Sequence, residues 1–419
     1  MALTKLNTLS LADDAITSAK IADDAITSAL IADDAVVAAA IADDAVVAAA
    51  IADNAVVTAA IADNAVTSAK STVTGANPNI LINGDMSIAQ RATSSTVTGI
   101  KTVDRWSAAW GGGGGITQSQ VALTSGGAYD EGHRHAFKMA VTSANSANAR
   151  YAQVNYKVES QQIRNSGWQY NSASSYVTIS FWVKASLAGT YWLSFYCPDT
   201  NTQYYSTSFA LSAATWTKIT KTFPGGSNIT FNDDNGNGLQ IDIYLDYGTD
   251  LTASDATLNS WHTFASGKYM TDFAQSWFNT GSATFEVTGC KLEIGQSATT
   301  FEKPDYTTEF QRCQRYYWTI RGDEGQDYSN NYGFLVQWSS SRFSGWNPSW
   351  TQNFPVEMRA IPTTTIVGTW GTSNAGTPAL GGYKSKMTAI ILLSGTTATS
   401  GAYMHFNSTD DAITFDAEL

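Results

Sequence analysis

Positive charge is scarce in this sequence. The 419 residues include 24 Lys and Arg against 36 Asp and Glu, a net charge of −12, and only 14% of the chain is charged. Proteins that bind nucleic acid or anionic lipid do so through clustered basic residues, so neither is expected as a partner. No run reaches the roughly 18 consecutive apolar residues of a membrane-spanning helix, so we expect no membrane insertion.

Cysteine is also rare, with Cys197, Cys290 and Cys313 as the only three. Their spacing matches no metal-binding pattern, and an odd number leaves no complete disulfide framework, so we expect free and mostly buried thiols. The first residues lack the basic-then-apolar pattern of a secretion signal. We therefore expect synthesis in a cytoplasm, with release by a route such as lysis of the host cell.

Aromatic and small polar residues are abundant instead. Aromatics make up 12% of the chain, with 13 Trp and 19 Tyr. Many aromatics with few charges are typical of β-sandwich surfaces and binding loops. The length exceeds what one hydrophobic core usually holds, which predicts two or three folded units.

Six consecutive ten-residue repeats occupy residues 11–70. They hold ten Asp against Lys20 and Lys70, a charge of −8, which leaves −4 (−12 minus −8) for the rest of the chain. Each repeat resembles IADDAVVAAA, with a large apolar residue at its first and sixth positions. From the second repeat onward these residues are Ile21, Ile26, Ile31, Val36, Ile41, Val46, Ile51, Val56, Ile61 and Val66.

This periodicity predicts a fibrous shaft. Ten residues fit neither a relaxed helix nor a strictly alternating strand, whereas an Asp N-cap followed by helix formers favours one short helix and a turn per repeat. A single chain would leave a continuous apolar stripe exposed, so identical chains should associate along a common axis. We favour a homotrimer, although the spacing alone does not distinguish three chains from two.

After the repeats the pattern changes to short strands between Gly, Asn and Ser turns. We predict a mainly β fold with four segments: an N-terminal attachment segment (1–10), the shaft (11–70), a jelly-roll β-sandwich (71–300) and a C-terminal β-sandwich tip (301–419). The attachment segment is too short for a domain of its own. Another protein should therefore hold the N-terminal end.

Several segments together resemble one family. They are NPNILINGDMSIAQRATS (77–94), TVDRW (102–106), LEIGQSATTFEKPDYTTEFQRCQRYYW (292–318), NFPVEMRAIPT (353–363) and the terminal DAEL. In this order they resemble bacteriophage tail fibre proteins, and the decapeptides resemble the shaft repeats of such fibres. The resemblance implies a homotrimeric fibre of the virion, with its N-terminus on a tail protein and its C-terminus toward the host. SFWVKASLAGTYWLSFY (180–196) further resembles a jelly-roll carbohydrate-binding module.

Two sets of residues are candidates for binding. Carbohydrates stack on aromatic rings while polar groups read their hydroxyls. In the tip, Trp346 and Trp350 lie in SGWNPSW, where Gly345 and Pro348 interrupt a strand, and Tyr328 and Tyr332 precede them. We predict that these four bind a glycan, although such rings also serve in cores and subunit contacts.

The second candidate is a partial calcium loop. Asp233, Asn235 and Asn237 have the spacing of the first half of such a loop, but Tyr244 stands where the bidentate Glu belongs. A turn between strands is therefore the better interpretation. Calcium at these three residues stays a minor hypothesis, and we expect no cofactor.

Motifs of catalysis are missing. The sequence has no G-x-S-x-G, no H-E-x-x-H and no phosphate-binding loop. We therefore predict a non-enzymatic tail fibre that adsorbs to a host surface glycan. Two alternatives remain open, a fibre-borne polysaccharide depolymerase and a virion decoration such as a head fibre.

Overall fold

The computed structural model describes residues 78–199, 201–267, 269–321, 336–338, 349–373, 376, 378–393, 402–406 and 411–419. The predicted shaft, with all ten of its repeat Ile and Val residues, lies outside the described residues. The association of the shaft therefore stays a prediction. The described chain belongs to one compact unit that begins at Ser68.

Two six-stranded antiparallel sheets form a sandwich. In chain order its strands are β1 (Ser94–Ser95), β2 (Trp106–Gly111), β3 (Gly115–Ala122), β4 (His135–Ser143), β5 (Tyr151–Glu159), β6 (Tyr176–Ala185), β7 (Gly189–Cys197), β8 (Gln203–Leu211), β9 (Thr217–Pro224), β10 (Asn237–Tyr247), β11 (His262–Thr263) and β12 (Thr284–Ile294). Sheet I has the order β1-β3-β4-β12-β6-β9, and sheet II has the order β11-β8-β7-β10-β5-β2. The predicted mainly β fold with a β-sandwich is confirmed for the described residues.

Alternation along the strands builds the core between the sheets. In β5, Val154, Tyr156 and Val158 point into the core and are fully or almost fully buried. Across the sandwich, the rings of Phe195 in sheet II and Phe223 in sheet I stack with their centroids 3.8 Å apart. This contact joins the two layers within the core.

The chain crosses between the sheets at a glycine run. Strand β2 ends at Gly111 in sheet II and β3 begins at Gly115 in sheet I. Gly112, Gly113 and Gly114 have φ angles of 81°, 104° and 71°. Three consecutive residues in the left-handed region strongly favour glycine, which explains the run at this turn.

The tip follows a short helix. Helix α1 (Gly127–Asp130) connects β3 to β4, and helix α2 (Ser160–Arg164) lies between β5 and β6. Helix α3 (Tyr306–Gln314) precedes the first strand of the tip. Asp305 caps α3 by accepting a 3.2 Å hydrogen bond from the Thr308 amide. The tip strands are β13 (Tyr317–Arg321), β14 (Val336–Trp338), β15 (Ser349–Asn353), β16 (Thr363–Val367), β17 (Gly371–Ser373), β18 (Pro378–Lys384), β19 (Thr388–Leu393), β20 (Ala402–His405) and β21 (Ala412–Asp416).

Three small sheets make up the described part of the tip, with the orders β13-β21-β16, β14-β20-β17 and β15-β19-β18. They enclose their own hydrophobic cluster, which includes Phe354, Trp370, Ile391 and Phe415. The sandwich has a separate cluster, so two cores lie within one compact unit.

The three cysteines are free and buried, as the sequence predicts. Burial raises the pKa of each thiol above its usual value. Within the described residues, no helix is long and apolar enough to span a bilayer.

Candidate functional site

The outer face of sheet II, turned away from the sandwich core, concentrates polar side chains. Because side chains alternate along a strand, Gln153, Asn155 and Lys157 of β5 point opposite to the core residues between them. On neighbouring β10, Gln240 and Asp242 lie on the same outer face. This face has two ends with different surroundings.

One end of this face, which we call the closed end, is aromatic and buried. Trp192, Tyr204 and Tyr244 are only 5%, 2% and 2% exposed and form a cluster with Met270. Residues 251–273, here called the covering segment, supply the other side of this cluster with Leu258, Phe264, Tyr269, Met270 and Phe273.

Hydrogen bonds to main-chain carbonyls hold the covering segment in place. The Ser206 hydroxyl donates to the Tyr269 carbonyl at 2.6 Å, and the Phe264 amide donates to the Thr202 carbonyl at 2.9 Å. The aromatic rings at the closed end are therefore occupied by the chain itself.

Asp242 lies between the two ends and is 2% exposed. Its carboxylate accepts from the Gln240 amide at 2.8 Å, from the Gln153 amide at 3.3 Å and from the Tyr244 hydroxyl at 3.4 Å. Burial raises the pKa of Asp242 to about 7, although the hydrogen bonds from Gln240 and Tyr244 and the charge of Lys157 act in the opposite direction.

The other end, which we call the open end, holds a cavity of about 350 Å³. Its lining combines strands of sheet II, the loop before β2 and the C-terminal residues. The lining residues are Gly99, Ile100, Lys101, Arg105, Ser107, Asn155, Lys157, Gln240, Asp416, Glu418 and Leu419.

Strand register brings the floor of the cavity together. Ser107 of β2 pairs with Asn155 of β5, and Lys157 of β5 pairs with Gln240 of β10. The hydroxyl, the two amides and the ammonium therefore lie on three adjacent strands. Within the described residues, the Asn155 side chain makes no hydrogen bond, which leaves its amide free to bind a ligand.

The C-terminal residues form the rim of the cavity because basic side chains hold them against the sandwich. Arg105 is 1% exposed, donates to the Glu418 carboxylate and to the Lys157 carbonyl (2.6 Å), and stacks on Tyr316 at 3.5 Å. The Lys157 ammonium donates to the Leu419 carbonyl at 3.2 Å.

Two further arginines complete this attachment. Arg91 pairs with Asp416 at 3.2 Å and with Glu418 at 3.4 Å. Arg359 donates to the carbonyls of Ala417 at 2.6 Å and Glu418 at 2.9 Å. The sandwich and the tip therefore share one polar junction beside the cavity.

Of the four tip residues predicted to bind a glycan, the structure describes one. Trp346, Tyr328 and Tyr332 lie outside the described residues. Trp350 lies in β15, opposite Ile391 of β19, and is half-buried against the tip core. Its ring therefore has a packing role, and glycan binding by these four residues stays a prediction.

The residues of the partial calcium loop have other contacts. Asp233 forms an exposed ion pair with Arg164 at 3.8 Å. The Asn235 amide donates to the Arg359 carbonyl, and Arg359 donates back to the Asn235 carbonyl at 2.6 Å. Asn237 begins β10, and its buried side-chain oxygen has no hydrogen-bond partner. The loop thus serves as a contact with the tip.

Among the described residues, no group of three or more His, Cys, Asp or Glu is arranged to hold a metal ion. His133 and His135, which are separated by one residue, differ in burial, and His135 is the half-buried first residue of β4. His133 precedes β4 and is 1% exposed, and burial lowers its pKa to about 4.

The outer face of sheet II is not among the sites predicted from the sequence. A signal was present, since YAQVNYKVE and LQIDIYLDY alternate apolar residues with amides, carboxylates and a lysine. Of the polar residues between the core positions, Asn155, Lys157 and Gln240 line the cavity.

No family model matches the chain, and no curated protein matches it. Matching solved structures include the enzymatically active domain of tailspike protein 4 of bacteriophage CBA120, at 9% identity and a TM-score of 0.30. This match covers 52% of this chain and 21% of the tailspike chain.

A family 16 carbohydrate-binding module matches at 14% identity and a TM-score of 0.21, over 42% of this chain and 84% of the module. A cyclase from Fischerella sp. TAU matches at 11% identity and a TM-score of 0.30, over 53% of this chain and 100% of the cyclase. TM-scores this low do not assign a function. The function proposed for this protein rests on its own residues.

Proposed function

We propose that this protein is a structural, non-enzymatic fibre of a bacteriophage tail that adsorbs to the host by binding a surface glycan at the open end of sheet II. The observation that carries the glycan proposal is the cavity of about 350 Å³ floored by Ser107, Asn155, Lys157 and Gln240. Small-ligand sites are typically concave and place a few polar groups in fixed positions.

The chemistry of the floor suits a sugar. The Asn155 amide offers both donors and an acceptor, and the Gln240 amide keeps an acceptor and one donor beside its bond to Asp242. A hydroxyl offers either, which matches the mixed character of sugar hydroxyls. Tyr196, the cross-strand neighbour of Gln240 on β7, packs against Tyr204 and Phe264 at the closed end, so the floor of the cavity is polar. Rigid strands hold all of these groups, which lowers the entropy lost on binding.

The carboxylates beside the cavity favour binding over hydrolysis. Glycoside hydrolysis needs two carboxyl groups free to act as acid and as base or nucleophile. Asp416 and Glu418 line the cavity, but both are paired with Arg91, and Glu418 is also bonded to Arg105. Their bonding fits a structural role in the junction.

The fibre part of the proposal rests on the repeats and on the family resemblance. In this proposal residues 11–70 associate into a homotrimeric shaft, another tail protein of the virion holds the N-terminal end, and the sandwich and tip face the host. Light scattering of the full chain should give three times the chain mass. A monomer mass would contradict the proposed shaft.

A panel of immobilised bacterial surface polysaccharides, both neutral and acidic, tests the glycan site. The full chain should bind at least one polysaccharide of the panel and release no oligosaccharide from it. The double variant Asn155→Ala/Gln240→Ala should bind more weakly while remaining folded. Absence of wild-type binding to the whole panel would contradict glycan recognition, and released oligosaccharide would favour a depolymerase.

A further inference from the structure

The cavity at the open end combines an almost buried amide that has no partner with an aliphatic side chain, and we infer that it binds a sugar bearing an N-acetyl group, such as an N-acetylhexosamine unit. This inference rests on the proposed glycan-binding function and names the class of sugar. It assigns Asn155 and Ser107 as the groups that bond to the amide of the sugar, and Ile100 as the contact of its methyl group.

The charged groups around the cavity are largely bonded within the protein. The carboxylates of Asp416 and Glu418 pair with arginines. The Lys157 ammonium donates to the Leu419 carbonyl at 3.2 Å. Because acids and bases line the same cavity, its charge favours neither an anionic nor a cationic ligand. The groups that select the sugar are therefore expected among the neutral residues.

Asn155 is the neutral group with unused bonding capacity. The residue is 8% exposed, and its side chain makes no hydrogen bond within the described part of the chain. Gln240, by contrast, already donates to Asp242 at 2.8 Å. Buried polar groups nearly always have partners, because leaving one unsatisfied costs free energy. An amide this buried in the lining of a cavity therefore indicates that a polar group of a ligand binds beside it.

Strand register places Asn155 in a short row that ends on an aliphatic side chain. Asn155 of β5 pairs with Ser107 of β2. Gly99 forms a bridge to Ala108 through main-chain hydrogen bonds of 2.7 and 3.3 Å, so the next residue, Ile100, comes beside Ser107. Ile100 is half-buried and lines the cavity. The row therefore presents an aliphatic group, a hydroxyl and an amide, with neighbouring strands about 4.8 Å apart.

An acetamido group matches this row. Its amide bond is planar and trans, so its N–H and its C=O point in opposite directions and bond to two different partners. Asn155 and Ser107 are cross-strand neighbours, and an amide and a hydroxyl can each donate and accept. The methyl group would lie against Ile100 and leave water. A sugar hydroxyl in the same place has no methyl group to bury and one polar atom rather than two.

Matched sugars that differ in the acetamido group test the inference. The probes are chitotetraose and cellotetraose, and the methyl glycosides of N-acetylgalactosamine and galactose, each titrated into the full chain. We expect at least one acetylated probe to bind at least about tenfold more tightly than its plain counterpart. Added salt should change this preference little, because the probes are uncharged. Peptidoglycan sacculi and N-acetylated polysaccharides of the panel distinguish two sources of such sugar units.

Variants locate the effect. Ile100→Ser removes the apolar contact of the methyl group, and Asn155→Ala removes the amide. Either change should reduce the ratio of the two affinities from about tenfold to below about threefold. Ile361→Ser, at an isoleucine of the tip that is 55% exposed and does not line the cavity, is the matched control and should keep the ratio. Circular dichroism melts check that each variant is folded.

The outcomes separate the two claims. Equal binding of acetylated and plain probes, an unchanged ratio in either folded variant, or no binding of either acetylated probe would overturn the N-acetyl inference. If the chain still binds polysaccharides of the panel that lack N-acetyl groups, glycan recognition survives without it. Failure on the whole panel would remove glycan recognition itself.

Discussion

The two ends of the outer face of sheet II share strands and alternation but differ in what covers them. At the closed end, Trp192, Tyr204 and Tyr244 are buried by the chain's own covering segment. At the open end, Asn155, Lys157 and Gln240 line a cavity. Burial of aromatic rings on a sheet face stabilises the folded protein, and here the covering segment buries them. Polar groups are costly to bury without partners, and those at the open end remain available to a ligand.

The largest expected effect is at the closed end. Trp192→Ala would leave a void under the covering segment and should lower the free energy of unfolding by about 4 kcal/mol. Binding of polysaccharide below the melting temperature should persist, because the open end is untouched. Loss of binding in a folded Trp192→Ala protein would show that the two ends are not separate, and Trp192→Phe is the milder control.

Removal of Arg105 tests the junction beside the open end. Arg105→Met would leave the Glu418 carboxylate without its most buried partner and should destabilise the protein by about 3 kcal/mol in denaturant unfolding. Adding Glu418→Gln should recover part of this loss. Lys101→Met, an exposed neighbour in the same cavity, should change stability by no more than about 0.5 kcal/mol.

Because the pKa of Asp242 is raised, we expect the free energy of unfolding to depend on pH. Its pKa is about 7 in the folded protein, above the ordinary value of 3.8. The unfolded state therefore loses this proton first, and the contribution of Asp242 to stability falls as the pH rises from about 4 to about 7, then levels off.

Asp242→Asn should remove much of this slope, so the variant gains stability relative to wild type between pH 4 and 7, by a few kcal/mol at most as an order of magnitude. Denaturant unfolding at several pH values measures the difference. Parallel curves for the two proteins would show that Asp242 is ionised in the folded state throughout this range.

The smallest stability effect is expected at the floor of the cavity. Asn155→Ala removes an amide that makes no hydrogen bond within the described residues, so the melting temperature should hardly change. Polysaccharide binding should weaken by roughly three- to tenfold, the contribution of one or two hydrogen bonds. A variant that binds like wild type would place the ligand elsewhere.

The strands could be predicted because the alternation of apolar and polar residues is visible within each short segment of sequence. The sequence segments 174–186, 191–197, 239–247 and 283–294 all contain sandwich strands in the structure. The sandwich follows from these strands, since each has one apolar face that needs a partner layer.

The cavity could not be predicted in the same way because its parts come from distant positions. Ser107, Lys157 and Gln240 meet through strand order, and Glu418 reaches them through a bond to Arg105. None of these pairings follows from local periodicity. The aromatic content instead predicts binding at Trp350, which is half-buried against the tip core in the structure.

The most direct test of the central claim is a crystal structure of the protein with an oligosaccharide that it binds in solution. We predict sugar density in the open cavity, with sugar hydroxyls bonded to Asn155 and Gln240 and the Lys157 ammonium within hydrogen-bond distance. Density at another place, such as the loop that carries Trp346, with an empty cavity in the same crystal, would contradict it.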